Sequence, residues 1–277
     1  MTKKVHQIVS LLLLYCSLSL QAQTTAMSFN IRYDNPNDKE NWWEHRKSDV
    51  CKLINYYQPD FLGIQEGLEH QVAFLKNNTA NYNFIGVGRD DGKMKGEYSA
   101  LFFNDSKFEL LQEKTFWLSD TPDKVSVGWD ASMERICTFG KFKNKNTKKI
   151  IYVFNTHFDH IGEKAQEESA KLILKTIKKL KIKKDKLIVM GDLNSEPESK
   201  PIRLLKSKLD DGLETAKKAF YGPVGTFNNF DPNAILKNRI DYIFTKNIKV
   251  LSYRHIDDRR GNNLCISDHL PIFIIVE

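Results

Sequence analysis

The chain's 277 residues are enough for one large domain or two small ones, and an apolar fraction of 41% is ordinary for a globular protein with a sizeable core. Its formal net charge is +7, but the excess concentrates in KLILKTIKKLKIKKDK and KFKNKNTKK, which read as a solvated helix face and a hairpin tip. They lack the arginine and aromatic alternation of single-strand binders. Beyond residue 22 the cysteines are Cys51, Cys137 and Cys265, with no CxxC spacing, which argues against a thiolate zinc site or a disulfide framework.

The first segment, MTKKVHQIVSLLLLYCSLSLQAQ, has Lys3 and Lys4, an apolar run from Ile8 to Leu20 and then the small Ala22. That is the layout of a secretory signal, too short for a comfortable membrane span. Residues 1–22 are therefore set aside as a signal peptide and a single domain is expected over 23–277, at a net charge of +5 once Lys3 and Lys4 are gone. The expected location is secreted or periplasmic, and bulky Tyr15 argues against a lipid anchor on Cys16.

Strands are expected, by length and β-branched or aromatic content, at TAMSFNIRY, FLGIQE, NFIGVG, YSALFFN, FELLQEKTFWL, RICTFGKF, KIIYVFNTHF, KLIVMGDLN, RIDYIFT, IKVLSYRHI and PIFIIVE. Helices are expected at HRKSDVCKLINYY, LEHQVAFLKNN, EKAQEESAKLILKTIKKLK and SKPIRLLKS; in the third, Ala165, Ile173, Ile177 and Leu180 recur at helical spacing. So many strands with interspersed helices predict an α/β fold, a two-sheet sandwich rather than a simple βα alternation.

Several strands end in a polar group: Asn30, Glu66, His157, Asp192 and Asn194, with Asp241 beside another apolar run and Asp268–His269 just before the last. Each alone has a plain structural explanation, as a turn former, a helix-end carboxylate or a satisfied imidazole. If the strands run the same way, these groups pool on one rim. Glu66 and Asp268 are hard oxygen donors, and Asn30, Asp192 and Asn194 are available to hold waters, which suits Mg²⁺ rather than zinc. Hydrolysis of a phosphate ester needs an activated water, neutralised nonbridging oxygens and help for the leaving oxygen, and two histidines with carboxylate partners suit that work.

As an ordered set, FN at 29–30, QE at 65–66, NTH at 155–157, GDLN at 191–194, RIDYIF at 239–244 and SDH at 267–269 resemble the endonuclease/exonuclease/phosphatase superfamily of metal-dependent phosphoesterases. The resemblance implies a four-layered α/β sandwich, two packed mixed sheets flanked by helices, with the site at one edge. It implies Mg²⁺, with Mn²⁺ as a substitute, on Glu66 assisted by Asn30, with Asp268 near a possible second position. Asp192 would orient or deprotonate the water, Asn194 would hold it, and His269, held by Asp241, would donate to the phosphate. His157 would face the leaving group with Glu97 as its partner, a pair expected to raise the imidazole pKa. Arg135 and His160 are additional candidates for gripping phosphate, Arg135 being equally suited to a structural ion pair. Trp42, Trp43, Trp117 and Trp129 lie on expected loops, either to stack on substrate or to pin the loop to the core. Nucleic acid, a phospholipid headgroup and a sugar or inositol phosphate all stay open as substrates. No stable protein partner is evident and a monomer is expected. A noncatalytic binding protein of the same fold is the alternative.

Overall fold

The central strands are apolar at consecutive positions because both of their faces are covered. The computed structural model describes residues 23–277; the expected signal peptide lies outside the described residues. One mixed sheet has the strand order β11-β12-β1-β2-β4-β3, the other β5-β6-β7-β8-β10-β9. The first contains β1 (Thr24–Asn30), β2 (Phe61–Gln65), β3 (Tyr82–Ile85), β4 (Leu101–Asn104), β11 (Val250–His255) and β12 (Ile272–Val276). The second contains β5 (Phe108–Trp117), β6 (Ile136–Asn144), β7 (Ile150–His157), β8 (Lys186–Asp192), the two-residue β9 (Asp210–Asp211) and β10 (Asp241–Lys246).

Successive side chains point to opposite faces, so neighbouring residues serve different cores. Ala26, Ile188, Met190 and Ile274 meet between the sheets. Met27 and Phe29 face α1 (Trp43–Tyr57) and α2 (Glu69–Asn78). Leu187 and Val189 face α3 (Glu163–Lys179) and α4 (Lys200–Lys206). The result is the expected order of helix, sheet, sheet, helix. All eleven expected strands and four expected helices overlap an observed element. A 3-10 turn at Pro36–Asn41, β9 and a single helical turn, α5 (Gly212–Thr215), were not expected; each is too short to show a period. Cys51, Cys137 and Cys265 are buried free thiols.

A buried amide links the sheets near their middle. Buried Asn155 donates from Nδ2 to the carbonyls of Ile64 and Ala100, both at 2.8 Å, and accepts from Gln65 Nε2 at 2.6 Å. A Cβ on Gly63 would lie 2.6 Å from Asn155 Oδ1, so the glycine keeps space for that bridge.

At the end of β11, His255 is 1% exposed and its Nδ1 bonds the Pro223 carbonyl at 2.8 Å. Burial pulls it from 6.5 down to about 4, with the Pro223 bond opposing. Folded protein thus stays neutral here while unfolded chain takes up a proton, so the contribution is full above pH 6.5 and is lost as pH falls toward 4. The loss amounts to about 3 kcal/mol over that interval. His255→Asn, which keeps a donor toward Pro223, should flatten this limb in urea unfolding followed against pH. An unchanged acid slope would refute the assignment.

Candidate active site

The two parallel pairs, β1 with β2 and β7 with β8, finish on one rim, where the register sets Asn30 beside Gln65 and His157 beside Asp192. β10 runs the opposite way and begins there, with Asp241 opposite Asp192. Pooling therefore does not require every strand to share a direction: an antiparallel strand serves if its polar residue comes first.

Asp192 Oδ2 is the centre of the constellation. It accepts from Asn30 Nδ2 at 3.0 Å and lies 3.5 Å from His157 Nε2 and 3.7 Å from His269 Nε2. Its Oδ1 accepts from the Asn194 backbone N–H at 2.9 Å, with Asn194 in the left-handed region at φ 46°. Burial and then the charge of Asp241 push the Asp192 carboxyl up to about 7. A carboxylate so raised is a competent base near neutrality.

His269 Nδ1 bonds Asp241 Oδ2 at 2.8 Å. Burial works against a charged imidazole there, but Asp241 and Asp192 outweigh it and hold His269 well above its ordinary value. The rest of the support comes from a segment that the sequence reading passed over. Thr226 Oγ1 accepts from the N–H groups of Ile240 and Asp241, the Asn228 N–H donates to the Asp268 carbonyl, and the Phe227 ring packs edge-on at 5.0 Å from His269. Its signal, TFNN, has neither apolar period nor charge.

His157 departs from expectation. Its Nδ1 is 4.0 Å from Glu97 Oε2, but Glu97 is bonded at 2.7 Å by Arg89 Nη1. Burial, reinforced by the charges of Arg135 and Arg89, holds His157 well below its ordinary value. Nε2 accepts from Asn194 Nδ2 at 3.1 Å, which leaves the proton on Nδ1 toward Glu97. The expected rise in the imidazole pKa is thus corrected: its partner carboxylate is shared with an arginine, and two guanidiniums disfavour a third cation. Burial raises Glu97, with Arg89 opposing.

Glu66, at φ 64°, accepts from Asn30 Nδ2 at 2.9 Å and from the Tyr33 N–H at 3.1 Å. Asn30 Oδ1 accepts from the Arg32 N–H at 3.0 Å, so its amide ties Glu66 to Asp192. Burial raises Asp268, against the pull of His269. Arg32, unremarked in the sequence, is held by Asp38 at 3.0 Å and lies 3.9 Å from Glu66 Oε2 and 3.8 Å from Asp268 Oδ2. The two carboxylates, Glu66 and Asp268, already draw a guanidinium toward them and are hard oxygen donors that fit a divalent cation, with Asn30 orienting Glu66. Asp192, Asp241 and His269 also have ligand atoms within 4.8 Å of one another. That trio suits proton chemistry better, because a charged imidazole already bonded to Asp241 is no ligand.

The expected substrate contacts are placed otherwise. Trp43 is 1% exposed in the core under α1, so it cannot reach substrate. Trp42 is half-buried and donates from Nε1 to Asp34 at 2.5 Å, while Trp117 is 7% exposed and donates to the Arg89 carbonyl. Both pin loops. Arg135 is 4% exposed, bonded to Asp159 at 3.3 Å and to His160 Nδ1 at 3.0 Å, with His160 exposed beyond it. Arg135 therefore takes the ion-pair role. Buried Arg46, also unremarked, bonds the carbonyls of Ile31, Arg32 and Ile266, joining the Asn30 loop to the Asp268 loop.

Residues 27–269 match the Endonuclease/Exonuclease/phosphatase family. The chain belongs to this family. An endonuclease/exonuclease/phosphatase from Bacteroides vulgatus is similar in structure, at 38% identity and a TM-score of 0.88, over 93% of this chain and 99% of that one. The mannosyl-6-phosphatase of Bacteroides thetaiotaomicron is similar at 37% identity and a TM-score of 0.87, over 92% and 99%. Zebrafish TDP2 complexed with a single-strand DNA product shares the fold alone, at 17% identity and a TM-score of 0.72, over 93% and 100%. The fold is thus that of the family's hydrolytic phosphoesterases, two packed mixed sheets with flanking helices.

Proposed function

We propose that this protein is an exported, monomeric, Mg²⁺-dependent phosphatase that hydrolyses a phosphate monoester, of which a sugar phosphate is the favoured class. The observation that carries the hydrolytic reading is Asp192 Oδ2 set between two imidazoles and tied through Asn30 to Glu66. The likeness to a mannosyl-6-phosphatase at 37% identity supports the monoester. Glu66 and Asp268, with Asn30 beside them, would hold Mg²⁺ or Mn²⁺, which would neutralise phosphate charge and make water more acidic. Asp192 takes the proton of the attacking water as its oxygen bonds to phosphorus. The bond to the leaving oxygen breaks, that oxygen takes a proton from water and Asp192 returns its own to solvent, giving the alcohol and inorganic phosphate without a covalent enzyme intermediate. His269, kept charged by Asp241, donates to a nonbridging oxygen. Neutral His157 holds Asn194 and contributes no proton.

The test compares mannose 6-phosphate, an aryl phosphomonoester, an aryl phosphodiester and plasmid DNA, with Mg²⁺ or EDTA, beside Glu66→Gln. Monoester turnover should be lost in EDTA and fall at least about a hundredfold in the variant, with weaker Mn²⁺ binding by calorimetry. Faster cleavage of the diester or DNA would overturn the monoester reading. EDTA-resistant turnover would overturn the metal.

A further inference from the structure

The lysine-rich stretch that reads as a solvated face in sequence forms one wall of a groove of about 600 Å³. Its floor is apolar, made by Leu174, Ile177, Ile182 and Leu209. Around it stand Lys175, Lys178, Lys181, Lys183, Lys208 and Lys246. They come from α3 and the turn after it, the approach to β9 and the end of β10, so separate stretches of sequence converge on one place. Among the described residues none of the six has a carboxylate within 4.0 Å, whereas Lys171, Lys200 and Lys206 nearby all do. Asp185 and Asp210 are the adjacent acids in sequence, too few to balance six cations.

An apolar floor ringed by unpaired ammonium groups complements an anionic amphiphile: acyl or glycerol carbon against leucine and isoleucine, phosphate against lysine. A nucleic acid would call for aromatic or arginine stacking partners, and the lining contains neither. The groove is also remote from the chemistry. Lys246, which lines the groove, closes β10, whereas Asp241 opens it and faces Asp192, about 17 Å away at the rise of a strand.

We propose that this groove docks the protein onto an anionic phospholipid surface, leaving the catalytic rim turned toward water. Docking then localises the enzyme without presenting lipid to the site, and hydrolysis of a soluble substrate proceeds at the same rate on or off the surface. This separates the proposal from the phosphatase reading, since binding is measured without turnover.

The test is sedimentation of residues 23–277, which hold both sheets, with vesicles of phosphatidylcholine alone or with about a third phosphatidylglycerol. The anionic vesicles should carry the protein down and the neutral ones should not, and 0.5 M NaCl should release it, since screening at about that strength shortens the reach of surface charge to a few ångströms. Exchanging Lys175, Lys178, Lys183 and Lys208 for Gln should weaken partitioning at least about tenfold, with hydrolysis of a soluble phosphomonoester unchanged. No sedimentation with the anionic vesicles, or equal sedimentation of the four-site variant, overturns the proposal. Retention on heparin without vesicle binding also overturns it and assigns the lysines to soluble polyanions.

Discussion

Asp192→Asn should lower kcat on a phosphomonoester by about a thousandfold or more, the loss expected when a positioned base is removed and a charge-stabilising pair is disturbed. The carboxylate is buried, is pushed up to about 7 by that burial and by Asp241, and lies 3.5 and 3.7 Å from the two imidazoles. Asn keeps the volume and removes the basicity. It also relieves the repulsion with Asp241, so unfolding by urea should show a stability equal to or above that of the parent. Turnover within tenfold of the parent would remove Asp192 from the base role. The pH profile gives a second reading of the same assignment. Activity needs Asp192 without its proton and His269 with it, so kcat/KM should rise through the acid limb and fall where His269 deprotonates, well above its ordinary 6.5. Asp241→Asn removes the main charge that raises His269, and the alkaline limb should therefore move to lower pH. An alkaline limb that stays in place would show that another group sets it.

Gly191→Ala should destabilise the protein by about 4 kcal/mol, near the upper end for a single substitution. A Cβ at this position would lie 2.0 Å from the Thr156 carbonyl oxygen, and the residue has φ +152°, a conformation that L side chains rarely adopt. The obstacle is backbone of the neighbouring strand, so no side-chain rotation relieves it. Relief requires β8 to move off β7, and Asp192 is the next residue. In a domain of this size the loss corresponds to a fall in Tm of about 10 °C, and kcat should fall with it at temperatures where the variant is still folded. A fall of less than about 2 °C would mean that the strands part at little cost.

The GDLN motif thus combines two constraints, and only one of them is visible in sequence. An acid and an amide at a strand end suggest chemistry; the glycine before them looks like an ordinary turn residue until β7 is known to pass within van der Waals reach. His157 gives a similar lesson. The family resemblance implied Glu97 as its partner, and Glu97 is indeed near, but Arg89 takes it at 2.7 Å. Arg89 is one of many basic residues, and nothing local in GRDDGKMKGE indicates which way it turns. Trp43 misled for a related reason: a WW pair after a polar loop looks exposed, whereas it opens α1 and places its second ring in the core.

The sequence by itself determined the alternation of strands and helices, because burial on both faces leaves continuous apolar runs and burial on one face leaves a helical stripe, and each is a local pattern. It also determined the inventory of the rim, since each acid, amide or imidazole there adjoins an apolar run that had to be a strand. The tertiary structure alone decided which of those groups share protons and which share charge. Asn30 reaches Asp192 across 162 positions of chain and His269 reaches Asp241 across 28, and the balance between burial and neighbouring charge that raises His269 while lowering His157 is a sum over contacts that no stretch of sequence contains.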